Sequence, residues 1–177
     1  MTNILNLFKF LEDKEDVKTP LKAKLHYAPN EIPPEDLKVG GDLNLRDTKI
    51  LSLPDGLEVG RDLLLHNTKI TSLPDNLEVK GSLSLFNTLI TSLPDGLKFI
   101  RGNFSLSYTK VTSLPDDLEV GGNLILSFTP ITSLPDNLKV GGNLVLIDTP
   151  LSKKYSKRKI QRMIKAKGGE VGGSIIT

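Results

Sequence analysis

The amino-acid sequence predicts an α/β solenoid with a parallel sheet on its concave face, short turns on its convex side and a helical cap at each end. Three observations predict it: a recurrence of about 20 residues, a Leu-x-Leu alternation inside each copy, and flanking segments whose apolar residues follow helical spacing. The Leu-Pro step falls at Leu53, Leu73, Leu93, Leu114 and Leu134, with Pro33-Pro34 standing in for it in the first copy. The period is 20 residues, stretched once to 21 where Ile100 reads as the insertion. A period of this size means that each unit buries its apolar side only against a copy of itself.

The elements follow in chain order. Residues 1–31 form the expected N-terminal helical cap. Ile4, Leu7, Phe8 and Leu11 make an apolar stripe, and no basic start, long apolar run or small-residue cleavage site marks a signal peptide. Residues 32–152 hold six repeats. Their Leu-x-Leu pairs (Leu43/Leu45, Leu63/Leu65, Leu83/Leu85, Phe104/Leu106, Leu124/Leu126, Leu144/Leu146) read as six short strands with both apolar side chains inward. The Pro-Asp-x stretch is turn chemistry, with Gly56, Asn76, Gly96, Asp117 and Asn137 at positions that tolerate positive φ. The Val-Gly-Gly step reads as a second tight turn leading into the strand. Residues 153–177 form a basic cap helix and a final strand. Ser156 is the expected N-cap, Gly168 the stop, and Ile160, Met163 and Ile164 the docked side. Val171-Gly-Gly-Ser-Ile-Ile then repeats the pattern that precedes each strand.

In register, the copies read Leu-x-Leu-x-x-Thr-x-Ile-x-x-Leu-Pro, which resembles the leucine-rich repeat in its short bacterial and phage form. The resemblance covers roughly residues 32–152. It implies an interaction module of the kind found among secreted effectors and phage proteins, resident in the cytoplasm of a bacterium or an infected bacterial host. One departure is systematic. The family's usual Asn, a source of laddered buried amides, is Thr at Thr48, Thr68, Thr88, Thr109, Thr129 and Thr149. A hydroxyl has one donor rather than two, so a Thr ladder and an altered turn are expected.

Composition removes several function classes. The chain has 177 residues in one uninterrupted repeat block, hence one domain, and no cysteine. Thiolate metal sites, disulfides and the cysteine chemistry of ligase-type repeat effectors are therefore excluded. No apolar run reaches the roughly 18 residues of a membrane span. His26 and His66 are distant in sequence, with no serine or paired histidine at triad or metal spacing. The Gly-Gly steps lack the Lys-Ser/Thr ending of a phosphate loop. Asp55, Asp75, Asp95, Asp116 and Asp136 form a column that a calcium ladder would use, but aspartate in a Pro-Asp turn is expected without any ion. A non-catalytic protein without cofactor or metal is expected.

Two features point outward. Leu64, His66, Phe86, Tyr108, Ile125, Phe128, Val145 and Ile147 vary while the core slots do not, and together they make a candidate protein-binding patch on the concave face. The bland reading is that the rings lie over neighbouring strands and stiffen the sheet. A homodimer through the same columns stays open. The second feature is charge. Residues 1–152 hold 15 Lys/Arg against 20 Asp/Glu, whereas residues 153–167 hold eight cations and no anion. Lys157, Arg158 and Lys159 sit in a first helical turn, where the macrodipole disfavours cations. With Arg162 they form an alternative site for nucleic acid or another anion, against which stand a net charge of only +2 and the lack of interleaved aromatics. A structural virion or surface component is the third reading.

Overall fold

The computed structural model describes residues 21–27 and 32–177. The stripe at Ile4, Leu7, Phe8 and Leu11 lies outside the described residues. A short helix, α1 (Leu21–Tyr27), precedes a 3-10 turn at Pro34–Leu37. Lys24 Nζ meets Asp36 Oδ2 at 2.8 Å, which ties the two segments together through a pair almost wholly removed from solvent.

From there the chain winds as a parallel-sheet solenoid. Each turn holds two strands of two residues separated by a glycine-rich corner. In order they are β1 (Lys38–Val39) and β2 (Leu43–Asn44), β3 (Glu58–Val59) and β4 (Leu63–Leu64), β5 (Glu78–Val79) and β6 (Leu83–Ser84). Then follow β7 (Phe99–Ile100) and β8 (Phe104–Ser105), β9 (Glu119–Val120) and β10 (Leu124–Ile125), β11 (Lys139–Val140) and β12 (Leu144–Val145). Two helices, α2 (Pro150–Lys154) and α3 (Lys157–Ala166), lead to β13 (Glu170–Val171) and β14 (Ile175–Ile176). The even-numbered strands form one seven-stranded parallel sheet in spatial order β14-β12-β10-β8-β6-β4-β2. At about 4.8 Å per rung it is roughly 30 Å long.

The expected inward pairs are all buried, from Leu43 and Leu45 through Leu144 and Leu146, and the column continues into Ile175. Ile50, Ile70, Ile90, Val111 and Ile131 close the same core one turn later in each copy. Stacking explains this. A two-residue strand has no stability alone, and each Leu gains about 1.5–3 kcal/mol only when copies above and below cover it.

Two expectations need correction. The Val-Gly-Gly step is more than a turn. The Glu/Lys-Val residues before it pair in parallel as a second ladder, so this side of the repeat is not built of turns alone. That ladder is broken into β1-β3-β5 and β7-β9-β11-β13. The break identifies the inserted residue. Ile100 fills the buried valine slot and pairs with Val120, so it is not the insertion. One residue separates Leu77 from Val79 but two, Lys98 and Phe99, separate Leu97 from Ile100; Phe99 pairs with Glu119 in the outward slot, at 51% exposure, so Lys98 is the surplus residue.

The basic helix leads into a final strand that joins the sheet, as the Val171-Gly-Gly-Ser-Ile-Ile spelling predicts. Because β13 and β14 follow it and pair with β11 and β12, α3 is the outer segment of the last turn, with Ile160 and Ile164 buried in the common core. Ser156 holds the N-cap position but its side chain makes no capping bond, while Thr149 caps α2 through Ser152 N–H at 3.1 Å. Gly168, at φ 78°, ends α3 as its position predicts.

The corners need glycine for closeness. A β-carbon on Gly141 would run into the carbonyl oxygen of Gly121, and one on Gly121 into that of Arg101. Among the Pro-Asp-x positions, Gly56, Asp117 and Asn137 have positive φ, whereas Asn76 and Gly96 do not. Asn76 instead accepts the Gly56 N–H through Oδ1 at 3.0 Å, and a β-carbon on Gly96 would sit 3.1 Å from the Asp75 carbonyl oxygen.

Candidate functional site

Each strand of the large sheet ends in a tight turn, Leu-x-x-Thr, that closes on itself. The threonine hydroxyl donates to the carbonyl of the leucine three residues earlier, at 2.6–2.9 Å in all six copies. The expected Thr column is present, but each hydroxyl serves its own turn and makes no bond to the next copy. The reason is reach: one short hydroxyl satisfies the nearest carbonyl, and with a single donor nothing remains for a neighbour.

Most side-chain bonds between copies come from two other columns. Side-chain oxygens of Asp42, Asp62, Ser82, Asn103, Asn123 and Asn143 accept backbone N–H groups of the following turn, ending at Ser174. This ladder was readable, since the residue before every strand leucine is Asp, Asn or Ser, a set that shares a short side-chain acceptor. The other column is the third residue of the tight turn. Asp47, Asn67, Asn87, Tyr108, Phe128 and Asp148 all adopt left-handed backbone, with φ between 52° and 59°. Asn67 Nδ2 donates to Asp47 Oδ1 at 2.7 Å and Asn87 Nδ2 to Asn67 Oδ1 at 2.8 Å.

Of the candidate binding residues, Leu64, Ile125 and Val145 lie on strands and are half-buried. His66, Phe86, Tyr108, Phe128 and Ile147 belong to the turns that directly follow the strands. Four of these side chains still make a continuous line. His66 meets Phe86 edge-on with centroids 6.2 Å apart, and Phe86 meets Tyr108 edge-on at 5.4 Å. Tyr108 then stacks on Phe128 at 4.4 Å with an interplanar angle of 14°. The line shifts from the second turn position to the third between Phe86 and Tyr108. Where the ring has moved, the vacated second position holds a buried serine, Ser107 or Ser127. Tyr108 and Phe128 remain 50% and 43% exposed. Exposed Ile147 and Ile176 lie on the following two copies of the sheet.

Glycine, Asn and Asp populate left-handed backbone readily, and a bulky side chain there costs on the order of 1 kcal/mol. Nothing in the turn asks for a ring at these two positions, because Asn at the same φ serves the preceding copies. At the other end of the line, His66 Nε2 is buried and meets no hydrogen-bond partner among the described residues. Burial, reinforced by the nearby Arg46 guanidinium, holds this imidazole below its ordinary value of 6.5, while Asp47 pulls the other way. A neutral ring therefore borders Phe86.

The alternative anion-binding residues, Lys157, Arg158, Lys159 and Arg162, are all exposed on α3. Two other cations near this end are engaged: Lys167 Nζ meets Asp136 Oδ1 at 2.7 Å and Lys153 Nζ meets Asp148 Oδ1 at 3.0 Å. Asp116 Oδ1 accepts the Asp136 N–H at 2.9 Å, which links two members of the aspartate column across successive copies. Among the described residues, no group of three or more His, Asp or Glu side chains is placed to hold a metal ion, and no helix is long and apolar enough to cross a membrane. No protein-family model matches the chain, and none of the curated proteins matches it.

Proposed function

We propose that this chain is a non-catalytic recognition module of the leucine-rich-repeat type, and that it binds a partner protein through the concave face bearing the aromatic line. The module works without cofactor or metal, in the cytoplasm, with end segments 1–31 and 153–177 flanking the repeats of 32–152. In a phage or bacterial setting it acts by occupancy, as an effector or inhibitor of a host protein.

One observation carries the reading. Tyr108 and Phe128 hold a backbone state that favours Asn or Gly, stack on each other, and still leave about half of each ring in solvent. A ring kept at a strained position without being buried fits an anchor that a partner completes, since aromatic anchors dominate interface energetics. The leucine-rich-repeat assignment is supported by the strand at every Leu-x-Leu pair and by one parallel sheet along the whole solenoid.

Two variants test the site: Phe86→Ser/Tyr108→Ser/Phe128→Ser, and Lys157→Glu/Arg158→Glu/Arg162→Glu. The first is expected to lose a partner captured from host lysate, and the second to keep it across a range of salt. Retention by the serine variant sinks the aromatic reading. Loss by the glutamate variant alone, with steep salt dependence, transfers the activity to the anion-binding alternative.

A further inference from the structure

The two ladders of the solenoid differ at one internal step. The even-numbered strands pair without interruption, whereas the odd-numbered ladder stops at β5 and restarts at β7. Each bonded step of the odd ladder joins the residue after one valine slot to the valine-slot carbonyl of the copy before. Gly60 N–H donates to Val39 at 2.7 Å, Lys80 N–H to Val59 at 2.9 Å and Gly121 N–H to Ile100 at 2.8 Å. The matching groups between β5 and β7 are Arg101 N–H and the Val79 carbonyl, and they do not bond. The surplus Lys98 accounts for the gap, because one extra residue lengthens the path into β7 by up to about 3.3 Å.

A cleft of about 380 Å³ lies at this step, with Glu78, Lys80, Lys98, Phe99 and Arg101 in its lining. Lys98 does not bridge it. Its Nζ donates to the Asp116 carbonyl at 2.8 Å, in the copy that follows. Around the glycine corner the same two copies stay bonded: Leu83 N–H to Asn103, Leu85 N–H to Ser105 and Asn87 N–H to Ser107, at 2.8–2.9 Å. The aromatic line crosses this junction, and it changes column there. His66 and Phe86 precede the break, and Tyr108 and Phe128 follow it. Phe86 and Tyr108 meet across it edge-on at 70°, whereas Tyr108 and Phe128, on one side of it, stack at 14°.

We propose that the Lys98 junction is a hinge, at which the solenoid bends about the β6–β8 ladder and so adjusts the two halves of the aromatic line to a partner's surface. Where two ladders tie neighbouring copies, a bend must stretch main-chain hydrogen bonds on one side of the glycine corner. Between β5 and β7 that side carries none, so the bend there costs least, and closure about a few residues is a common route to fitting a ligand. The fitting role rests on the concave-face reading of the site. The hinge itself does not.

The test needs no partner. The chain has no cysteine, so Glu58→Cys/Lys139→Cys places two spin labels on the odd ladder, four rungs or about 19 Å apart across the junction. Pulsed dipolar spectroscopy is expected to give a broad distance distribution in this protein and a narrower one once Lys98 is deleted, which restores the 20-residue period. In the deletion variant, exchange of the Arg101 amide should slow about tenfold or more. In the parent chain, protection at Arg101 should lie about tenfold or more below that at Gly60 and Gly121, a comparison that requires no variant. Equal distribution widths with and without Lys98, or equal protection at these three amides, overturns the hinge. Narrowing on deletion together with partner capture that survives loss of the three rings would keep the hinge and sink the concave-face reading alone.

Discussion

Asp47, Asn67 and Asn87 occupy the same left-handed turn position as Tyr108 and Phe128, at nearly identical φ, yet the two sets use it differently. In the first three copies the side chain does what the backbone allows: it is short, tolerates the conformation and bonds to its neighbour one turn away. In the next two copies the amide ladder gives way to a stacked pair of rings. The Thr hydroxyl bond beneath is the same in both regions, at 2.8 Å for Thr68 and 2.7 Å for Thr109. The turn therefore folds with either side chain, which separates what the fold requires at this position from what the surface presents there. Asn meets the fold's requirement, whereas the rings add exposed apolar area that the fold does not call for.

The sharpest way to break the comparison is Asn87→Val. A β-branched side chain in left-handed backbone costs about 1–2 kcal/mol, and the bond to Asn67 Oδ1 is worth about 1 kcal/mol more. A loss of about 2–3 kcal/mol is expected, or a fall in Tm of very roughly 4–12 °C for a chain of this size. Thermal denaturation measures it. A loss below about 0.5 kcal/mol would mean that the turn makes little demand, and the strain argument for Tyr108 and Phe128 would lapse with it.

The converse exchange, Tyr108→Asn with Phe128→Asn, sharpens the same contrast. Relief of left-handed strain, about 1 kcal/mol at each position, opposes the loss of a stacked pair worth about 0.5–1.5 kcal/mol. Stability should therefore stay within about 1 kcal/mol of the parent. Capture of a partner should disappear. A destabilisation of more than about 2 kcal/mol by denaturant titration would instead make the rings struts of the sheet, the bland reading of these residues.

Much of the architecture is legible because it is periodic. Any residue that must be apolar in every copy, such as Leu83 or Leu124, stands out against its own repeats, and nearly all such slots are buried, Leu93 being half-buried. What escaped was aperiodic or conformational. The insertion was placed at Ile100 because that residue breaks the Val-Gly-Gly spelling. Burial, not spelling, decides the slot, and Ile substitutes for Val in a core. Left-handed φ at Tyr108 and Phe128 was hidden for the opposite reason: rings are poor markers of it, although the Asn and Asp in the same column announced it. The basic helix and the strand after it were legible from the Val171-Gly-Gly-Ser-Ile-Ile spelling, while the register of that strand depends on the pairing of β12 and β14. That is a contact between residues about thirty apart, where the internal period is 20. The aromatic line was visible as residue types, and its continuity was not, because it crosses from one column to another at Phe86 and Tyr108.

The smallest effect is expected where the line of rings ends. His66 is held neutral by burial, assisted by Arg46 and opposed by Asp47, so its folded-state pKa lies below 6.5. A base whose pKa falls on folding binds fewer protons in the native state. Its contribution to stability is complete above its unfolded pKa and is lost as pH drops through the folded value. Stability should therefore decline as pH falls below about 6.5, the ordinary His value. The edge contact with Phe86 sharpens the comparison, because Phe86 is flanked by the imidazole on one side and by the Tyr108 ring on the other. His66→Gln should flatten the pH dependence by a fraction of a kcal/mol, since the side chain is only half-buried. An unchanged slope in His66→Gln would assign the acid sensitivity to other groups, and the aromatic line would then be indifferent to pH.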